Sequence, residues 1–391
     1  MNTTNGWTVD DTARQRALAT LERYVRLETP TGDGASITAF VDQLAERYRG
    51  LGGDVTLHPF DGGAHLVADF AGAGNLASAA STLLIGHSDT VWPRGTLDGD
   101  VPWTNDGERI TGPGVYDMKS GLVVIEEALT LVRASGADHV PVRVVVTADE
   151  EIGSPTSSDL VVEAARGCSA ALGFESPHPD GDLKVGRLGS TRVQVDVTGI
   201  PAHAAIEPEK GVSATEELLD QLLRVREIAT AAAQSAGEAT ILYNLGSIEA
   251  PGRANVVAER ASALLGFRFS DPQIEGGVLD ALDRLRPVRE RAGLELTRVS
   301  YRPAWKARTA DELLAERISL VSVEVGGSEI GHAPAAGAAD TNLLGTTDIA
   351  VIDGFGPRGG GAHARSEHIV IASLWERIAL LAAYLAGPHP S

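Results

Sequence analysis

Apolar residues recur at helical spacing over Ala13–Leu27 and Ile37–Leu51, and the second run stops at Gly52-Gly53. Val55–Leu57 and His65–Phe70 then have the texture of short strands. Three further apolar runs share one design. Leu83-Leu84-Ile85 ends in Gly-His-Ser-Asp, Val142–Val146 ends in Thr-Ala-Asp-Glu-Glu, and Ala170–Phe174 ends in Glu175. A helical stretch, Gly121–Ala134, separates the first two. Strands alternating with helices predict an α/β domain with a mostly parallel sheet, and such sheets bind ligands beyond the carboxyl ends of their strands.

The pattern changes between about Leu188 and Ser300. Thr191–Val197 alternates like a half-buried strand and Ala214–Ala233 is a long helical stretch. Ala239–Ile248 and Val256–Phe269 are strand-like, and Val278–Ala292 is helical. This order describes a small α+β, ferredoxin-like unit with a core of its own. Beyond Pro303 come a helix (Leu313–Val325), a strand (Ala350–Asp353) and a last helix (Ala372–Ala386). The expected organisation is a catalytic domain in two parts, residues 1–187 and 301–391, around an inserted domain at 188–300.

Composition narrows the function classes. The 391 residues exceed what one core usually holds. A formal net charge of -20 argues against nucleic acid or an anionic membrane as a partner. The single cysteine, Cys168, excludes an internal disulfide and fits a reducing, cytoplasmic location. Met1–Asp10 is polar and acidic rather than basic then apolar, which is not the pattern of a signal peptide. No run of eighteen apolar residues suggests a membrane span.

The candidate chemistry sits at the strand ends. His87 and Asp89 stand two apart, so on an extended backbone they share one side; the pair suits a zinc ligand with an orienting carboxylate, or a plain hydrogen-bonded strand end. Asp117 lies in the glycine-rich segment Gly112–Gly121, as a ligand or a helix N-cap. Glu150 and Glu151 follow a valine-rich run, where an unpaired charge is costly without a cation; a solvated acidic turn is the other reading. His363 is presented by Gly359-Gly-Gly-Ala-His, an active-site loop or merely a flexible one. His203 is a lone turn histidine on its own evidence. Together these residues supply nitrogen and oxygen donors without a thiolate, which fits zinc, with manganese or cobalt also admissible.

The ordered motifs Gly86-His-Ser-Asp-Thr-Val91, Gly112-Pro-Gly-Val-Tyr-Asp-Met-Lys119, Thr147-Ala-Asp-Glu-Glu-Ile-Gly153, Phe174-Glu-Ser-Pro177 and His363-Ala-Arg-Ser-Glu367 resemble those of the co-catalytic zinc exopeptidase and deacylase family. That family includes glutamate carboxypeptidase, acetylornithine deacetylase and succinyl-diaminopimelate desuccinylase. The resemblance implies two Zn2+ per subunit, with Co2+ or Mn2+ possible. His87 and Glu175 would hold one ion, Glu151 and His363 the other, and Asp117 would bridge them. Glu150 would be the general base, Asp89 would orient His87, and the insert would be a dimerisation or lid domain. His203 would complete the partner's site in a homodimer, and Arg268 and Asn255 would contact the substrate. Two departures stand out: His203-Ala204-Ala205 replaces the usual His-Ala-Gly or His-Ser-Gly, and Ala336-Gly-Ala-Ala-Asp340 replaces a stretch richer in glycine, serine and threonine.

The implied activity is metal-assisted hydrolysis of an amide or peptide bond next to a free carboxylate, with a dipeptide or an N-acyl-amino acid as substrate. Carboxypeptidase action leads over N-acyl-amino-acid deacylation. An inactive metal-binding or interaction homologue is the alternative of another class, although such a homologue would typically have lost the base or a ligand. A nucleotide-binding protein would need Gly-x-Gly-x-x-Gly after the first strand, where this chain has Gly-His-Ser-Asp.

Overall fold

The computed structural model describes residues 7–387, so most of the Met1–Asp10 segment lies outside the described residues. The chain forms two compact units. One comprises the residues up to Gly186, Ala307–Ala335 and those from Ala339 on; the other comprises Arg187–Lys306 with Ala336–Ala338. Each encloses a separate hydrophobic core.

The first unit opens with helices α1 (Asp11–Arg26) and α2 (Gly34–Gly50), each started by an aspartate cap. Asp10 accepts the Ala13 amide at 2.8 Å, and Asp33 accepts that of Ser36 at 3.2 Å. Then come β1 (Asp54–Phe60), β2 (Gly63–Phe70), β3 (Ser81–His87), β4 (Thr104–Asn105), β5 (Arg109–Thr111) and α3 (Ser120–Ser135). β6 (Val142–Thr147), α4 (Ser158–Ala164), β7 (Cys168–Gly173) and β8 (Leu183–Arg187) complete its first segment. The insert contributes β9 (Gly189–Thr198), α5 (Ala214–Ser235), β10 (Ile241–Glu249), β11 (Arg260–Phe269), α6 (Pro272–Asp283) and β12 (Gly293–Arg302). The chain then returns with α7 (Thr309–Glu324), β13 (His332–Ala335), β14 (Ala350–Ile352), β15 (Gly359–Gly360), β16 (His368–Val370) and α8 (Ile371–Ala386).

The main sheet has the order β1-β2-β6-β3-β7-β14. β3 runs parallel to β6 and β7, and β14 parallel to β7. β1 and β2 are antiparallel, as are β2 and β6, so the sheet is mostly parallel, as expected, with β2 alone running against the other five strands. The reason is local. Phe60 pairs with Gly63 across a two-residue turn, a connection that only antiparallel strands allow. The central strands β3, β6 and β7 are buried along most of their length, which explains their unbroken apolar sequences. A smaller sheet, β15-β16-β5-β4, sets the loop before β16 beside the segment that follows β5.

The second unit is a βαββαβ arrangement with the antiparallel order β10-β11-β9-β12, the ferredoxin-like topology. Alternate residues Val193, Val195 and Val197 of β9 join α5 and α6 in its core. Three sequence expectations shift here. The second helix is α6 at Pro272–Asp283, not Val278–Ala292, because Asp271 caps it through the Gln273 and Ile274 amides with Pro272 in the first turn. β11 begins at Arg260 rather than Val256, so Asn255 stands apart from it, in a turn whose flanks, Arg253 and Val256, bridge each other. β12 continues past Ser300 to Arg302.

Candidate metal centre

β3 ends by delivering His87, only 1% exposed. Its Nδ1 faces the Asp89 carbonyl oxygen at 2.9 Å, and its Nε2 lies 3.2 Å from Asp117 Oδ1 and 3.4 Å from Glu175 Oε1. A ring that donates from Nδ1 leaves Nε2 as the coordinating nitrogen. The Asp89 carboxylate stands 3.4 Å from the same Nδ1, yet its hydrogen bonds go elsewhere. It accepts from Thr31 Oγ1 at 2.9 Å and from the backbone amides of Glu150 and Glu151 at 3.2 and 3.3 Å. Asp89 therefore ties the end of β3 to the turn carrying both glutamates, a wider role than orienting one ring.

Asp117 is brought in by the segment after β5. Gly114, at φ 73°, gives it a left-handed turn, and a Cβ there would meet Thr90 Cγ2 at 2.6 Å. The Asp117–Met118 peptide is cis. Lys119, not Asp117, occupies the N-cap of α3, so Asp117 is no cap. Its second oxygen, Oδ2, lies 3.1 Å from His363 Nε2, which is in turn 3.3 Å from Glu151 Oε2. One carboxylate thus faces two imidazoles, one through each oxygen. His363 holds φ 61°, an uncommon conformation for a residue with a side chain, at the tip of its loop.

The Glu150–Ile152 turn is pinned by Asp149. That carboxylate accepts from Thr156 N and Oγ1 at 2.7 Å each and from Ser157 Oγ at 2.5 Å. Asp340 bonds the Thr147 hydroxyl at 2.7 Å and also the Ser154 hydroxyl, reinforcing both ends of the same segment. Asp149 stands inside one of the sequence motifs, but nothing in its local sequence signals this role. The same holds for Glu367, which is buried and accepts the backbone amides of Gly114, Tyr116 and Asp117. An acidic residue just before the apolar run His368–Ile371 was its only signal.

The ligand atoms of His87, Glu150 and Glu175 all lie within 4.8 Å of one another, as do those of His87, Asp117 and Glu151. Electrostatics show what this concentration of carboxylates demands. Hydrogen bonds to Asp117 and then Glu151 push the His363 imidazole up to about 10. Burial opposes protonation of His87, but Asp117, Asp89 and Glu175 outweigh it and hold the ring well above its ordinary value. Burial and the Asp117 charge raise the Glu175 carboxyl. Burial also works to raise Asp117, yet the two imidazoles hold it below the usual carboxylate range. Protons here stand where a cation would. Glu151 Oε1 is buried and has no hydrogen-bond partner among the described residues, which is expensive unless a cation meets it. Nitrogen and carboxylate donors without a thiolate fit zinc, cobalt or manganese.

The remaining candidates belong to the second unit. His203 is exposed, and its Nδ1 accepts the amides of Ala205 and Ile206 at 3.2 and 3.1 Å. That fixes the tautomer with the proton on Nε2, leaving an outward N–H donor. The Ala204 amide donates to the Asn255 carbonyl at 3.0 Å, so the two turns are neighbours. Arg268 lies on an inner strand of its sheet, on the face opposite Phe267 and Phe269, which are core residues. Burial first, and then the charges of Arg192 and Arg302, lower its guanidinium below the ordinary value.

Comparison with known proteins agrees with this architecture. Residues 83–387 match peptidase family M20/M25/M40. Carboxypeptidase G2 of Pseudomonas sp. (strain RS-16) is 29% identical over 374 residues, 93% of this chain and 87% of that protein. The succinyl-diaminopimelate desuccinylase of Gluconacetobacter diazotrophicus is 28% identical over 384 residues, covering 91% and 92%. Among solved structures, an M20 family metallo-carboxypeptidase from Sulfolobus solfataricus superposes with TM-score 0.70 at 16% identity, covering 95% of this chain and 98% of that one. Aminopeptidase PepT from Bacillus cereus gives 0.69 at 18% with the same coverage. These structural likenesses show the fold, and the match over residues 83–387 shows the lineage: the chain belongs to peptidase family M20/M25/M40 and is a metallo-peptidase or amidohydrolase.

Proposed function

We propose that the protein is a two-metal hydrolase that cleaves an amide or peptide bond adjacent to a free carboxylate. The observation carrying this reading is Asp117 facing His87 through one oxygen and His363 through the other, at 3.2 and 3.1 Å, with Glu175 and Glu151 alongside. His87 and Glu175 would hold one ion, His363 and Glu151 the second, and Asp117 both. A bound ion pair supplies Lewis acidity, polarising the scissile carbonyl and acidifying water. Glu150 takes the water's proton on its carboxylate and returns it to the leaving amine. His203, donating from Nε2, stabilises the developing oxyanion. Asp89 and Asp149 keep the Glu150–Glu151 turn in register with β3.

The substrate is a dipeptide or an N-acyl-amino acid, with carboxypeptidase action favoured. Arg268 is the anchor for the free carboxylate, because a planar guanidinium without a carboxylate partner among the described residues suits a bidentate pairing. Asn255 assists from the turn next to His203. A homodimer through the second unit is supported by the apolar side chains that unit exposes. Leu219 and Leu223 of α5 are 53% and 46% exposed, and Leu242 and Ile248 of the edge strand β10 are 54% and 49% exposed. A cytoplasmic location is consistent with a lone buried cysteine and, among the described residues, no helix long and apolar enough to cross a membrane.

The test is chelation followed by metal replacement, assayed on a panel of dipeptides, N-acyl-amino acids and their carboxamides. Activity is expected to vanish on chelation and to return with zinc, cobalt or manganese at close to two ions per chain. Full hydrolysis by metal-free protein would refute the reading.

A further inference from the structure

Glu367 is a carboxylate near the candidate metal ligands that the chemistry above leaves without a task. It is completely buried, and four N–H donors converge on it. Oε1 accepts from Tyr116 N at 2.8 Å and Asp117 N at 3.1 Å; Oε2 accepts from Gly114 N at 3.0 Å and Trp92 Nε1 at 2.5 Å. Three of these amides belong to the segment that presents Asp117. Glu367 itself lies on the loop that presents His363, through two consecutive turns: Ala364 N bonds Gly361 O at 2.8 Å, and Glu367 N bonds Ala364 O at 2.9 Å.

We infer that Glu367 is the positioning residue of the metal centre: its carboxylate clamps the Asp117 segment to the His363 loop and thereby fixes the separation of the two ligands. The inference rests on the metal-centre reading proposed above. Apart from the His363–Asp117 contact itself, the hydrogen bonds between the two segments among the described residues all run through the Glu367 carboxylate. β5 and β16 pair only from Arg109 to Thr111, so Gly112–Asp117 would otherwise leave the sheet without a guide. Lys119 secures the far end of the segment, its ammonium donating to Tyr24 O at 3.0 Å and Leu27 O at 3.1 Å. The chain between Gly114 and Asp117 is therefore held on one side by Glu367 and on the other by Lys119.

The donor count makes the clamp testable. Both oxygens of a carboxylate accept, whereas a glutamine offers one accepting oxygen and an NH2 group that only donates. In Glu367→Gln, whichever way the amide turns, two of the four donors face another donor. The isosteric change should be nearly as damaging as Glu367→Ala. The readout is the dissociation constant for zinc, measured by competition with a chromophoric chelator on metal-free protein, together with its thermal melting. Groups that orient metal ligands typically account for about 10–100-fold in metal affinity, and that loss is expected for one of the two ions. Trp92→Phe, which deletes one donor, should cost less than about tenfold alone. Combined with Glu367→Gln it should restore part of the affinity, because the amide's NH2 can then turn toward Oε2's side and meet only Gly114 N. A side chain that merely fills space would show no such rescue.

If Glu367→Gln does not accumulate as folded protein, Glu367→Asp decides instead. It keeps both oxygens and the charge but loses a methylene of reach, and should also bind zinc about 10–100-fold more weakly. Wild-type zinc affinity in Glu367→Gln or Glu367→Asp, or strictly additive effects of the Trp92 and Glu367 changes, would overturn the inference. Failure of the wild-type chain to bind two ions would instead overturn the metal-centre reading beneath it.

Discussion

Loading metal into this protein should expel protons, and the raised imidazoles set how many. Without metal, hydrogen bonds to Asp117 and Glu151 push the His363 imidazole up from 6.5 to about 10. His87 is raised well above the same starting value. At pH 6.5 both rings are therefore protonated, yet a coordinating imidazole must be neutral. Filling both positions at that pH should release about two imidazole protons, and His363→Ala should release about one fewer. Calorimetric titration with zinc in buffers of differing ionisation enthalpy at matched pH measures the release directly. Below the raised values, each ring makes the apparent dissociation constant rise about tenfold for every unit the pH falls. The sign for folding runs the other way in the metal-free chain. A raised folded-state value stabilises fully below 6.5 and loses that contribution as the pH climbs through about 10, so metal-free protein should weaken across this window. Equal proton release by wild type and His363→Ala would refute the argument, since the ring facing Asp117 and Glu151 would then not be the group displaced.

Glu150→Gln should lower kcat by at least about 10²-fold while metal content stays near normal, measured by steady-state kinetics and elemental analysis. Mixing Glu150→Gln with His203→Ala chains should recover part of the activity after confirmed subunit exchange, and no recovery would count against a shared site. Arg268→Lys keeps the charge and loses the fork, so kcat/KM for free-acid substrates should fall and the preference for acids over carboxamides should narrow. Undiminished discrimination would move the anchor elsewhere, with Arg187 and Lys184 the next to test.

The candidate ligands were legible because each sits where an apolar strand or a glycine-rich segment ends, and those endings are local sequence events. His87, Asp117, Glu151, Glu175 and His363 meet in space as five separate short motifs. What stayed hidden depends on contacts between distant segments. Glu367 takes its donors from residues about 250 positions earlier, and no local pattern encodes that pairing. Glu126 and Glu127 look like the exposed face of a helix, yet both are fully buried. Glu126 is bonded by Tyr24 Oη at 2.5 Å and Arg47 Nε at 2.6 Å, and Glu127 by Arg16 at 2.5 Å. The helix α6 was misplaced because Gly276-Gly277 weakens its apolar rhythm while the cap at Asp271 carries the signal. Periodicity also identifies β1 and β2 without revealing the tight turn that sets β2 against the other strands of the sheet.

The ends of the inserted unit have a consequence for protein engineering. Arg187 N bonds Trp305 O at 2.8 Å, and Trp305 N bonds Arg187 O at 3.0 Å. Entry and exit of the insert are thus a closed antiparallel pair, whose Cα atoms stand about 5.5 Å apart. A gap of that size is spanned by about two or three residues. The segment 188–304 can therefore be lifted out as a cassette and Arg187 and Trp305 rejoined by a short glycine-containing linker, since each part keeps its own core. The same seam accepts a foreign module whose termini are equally close, so the metal-bearing scaffold could carry a different cap, exchanged as one piece.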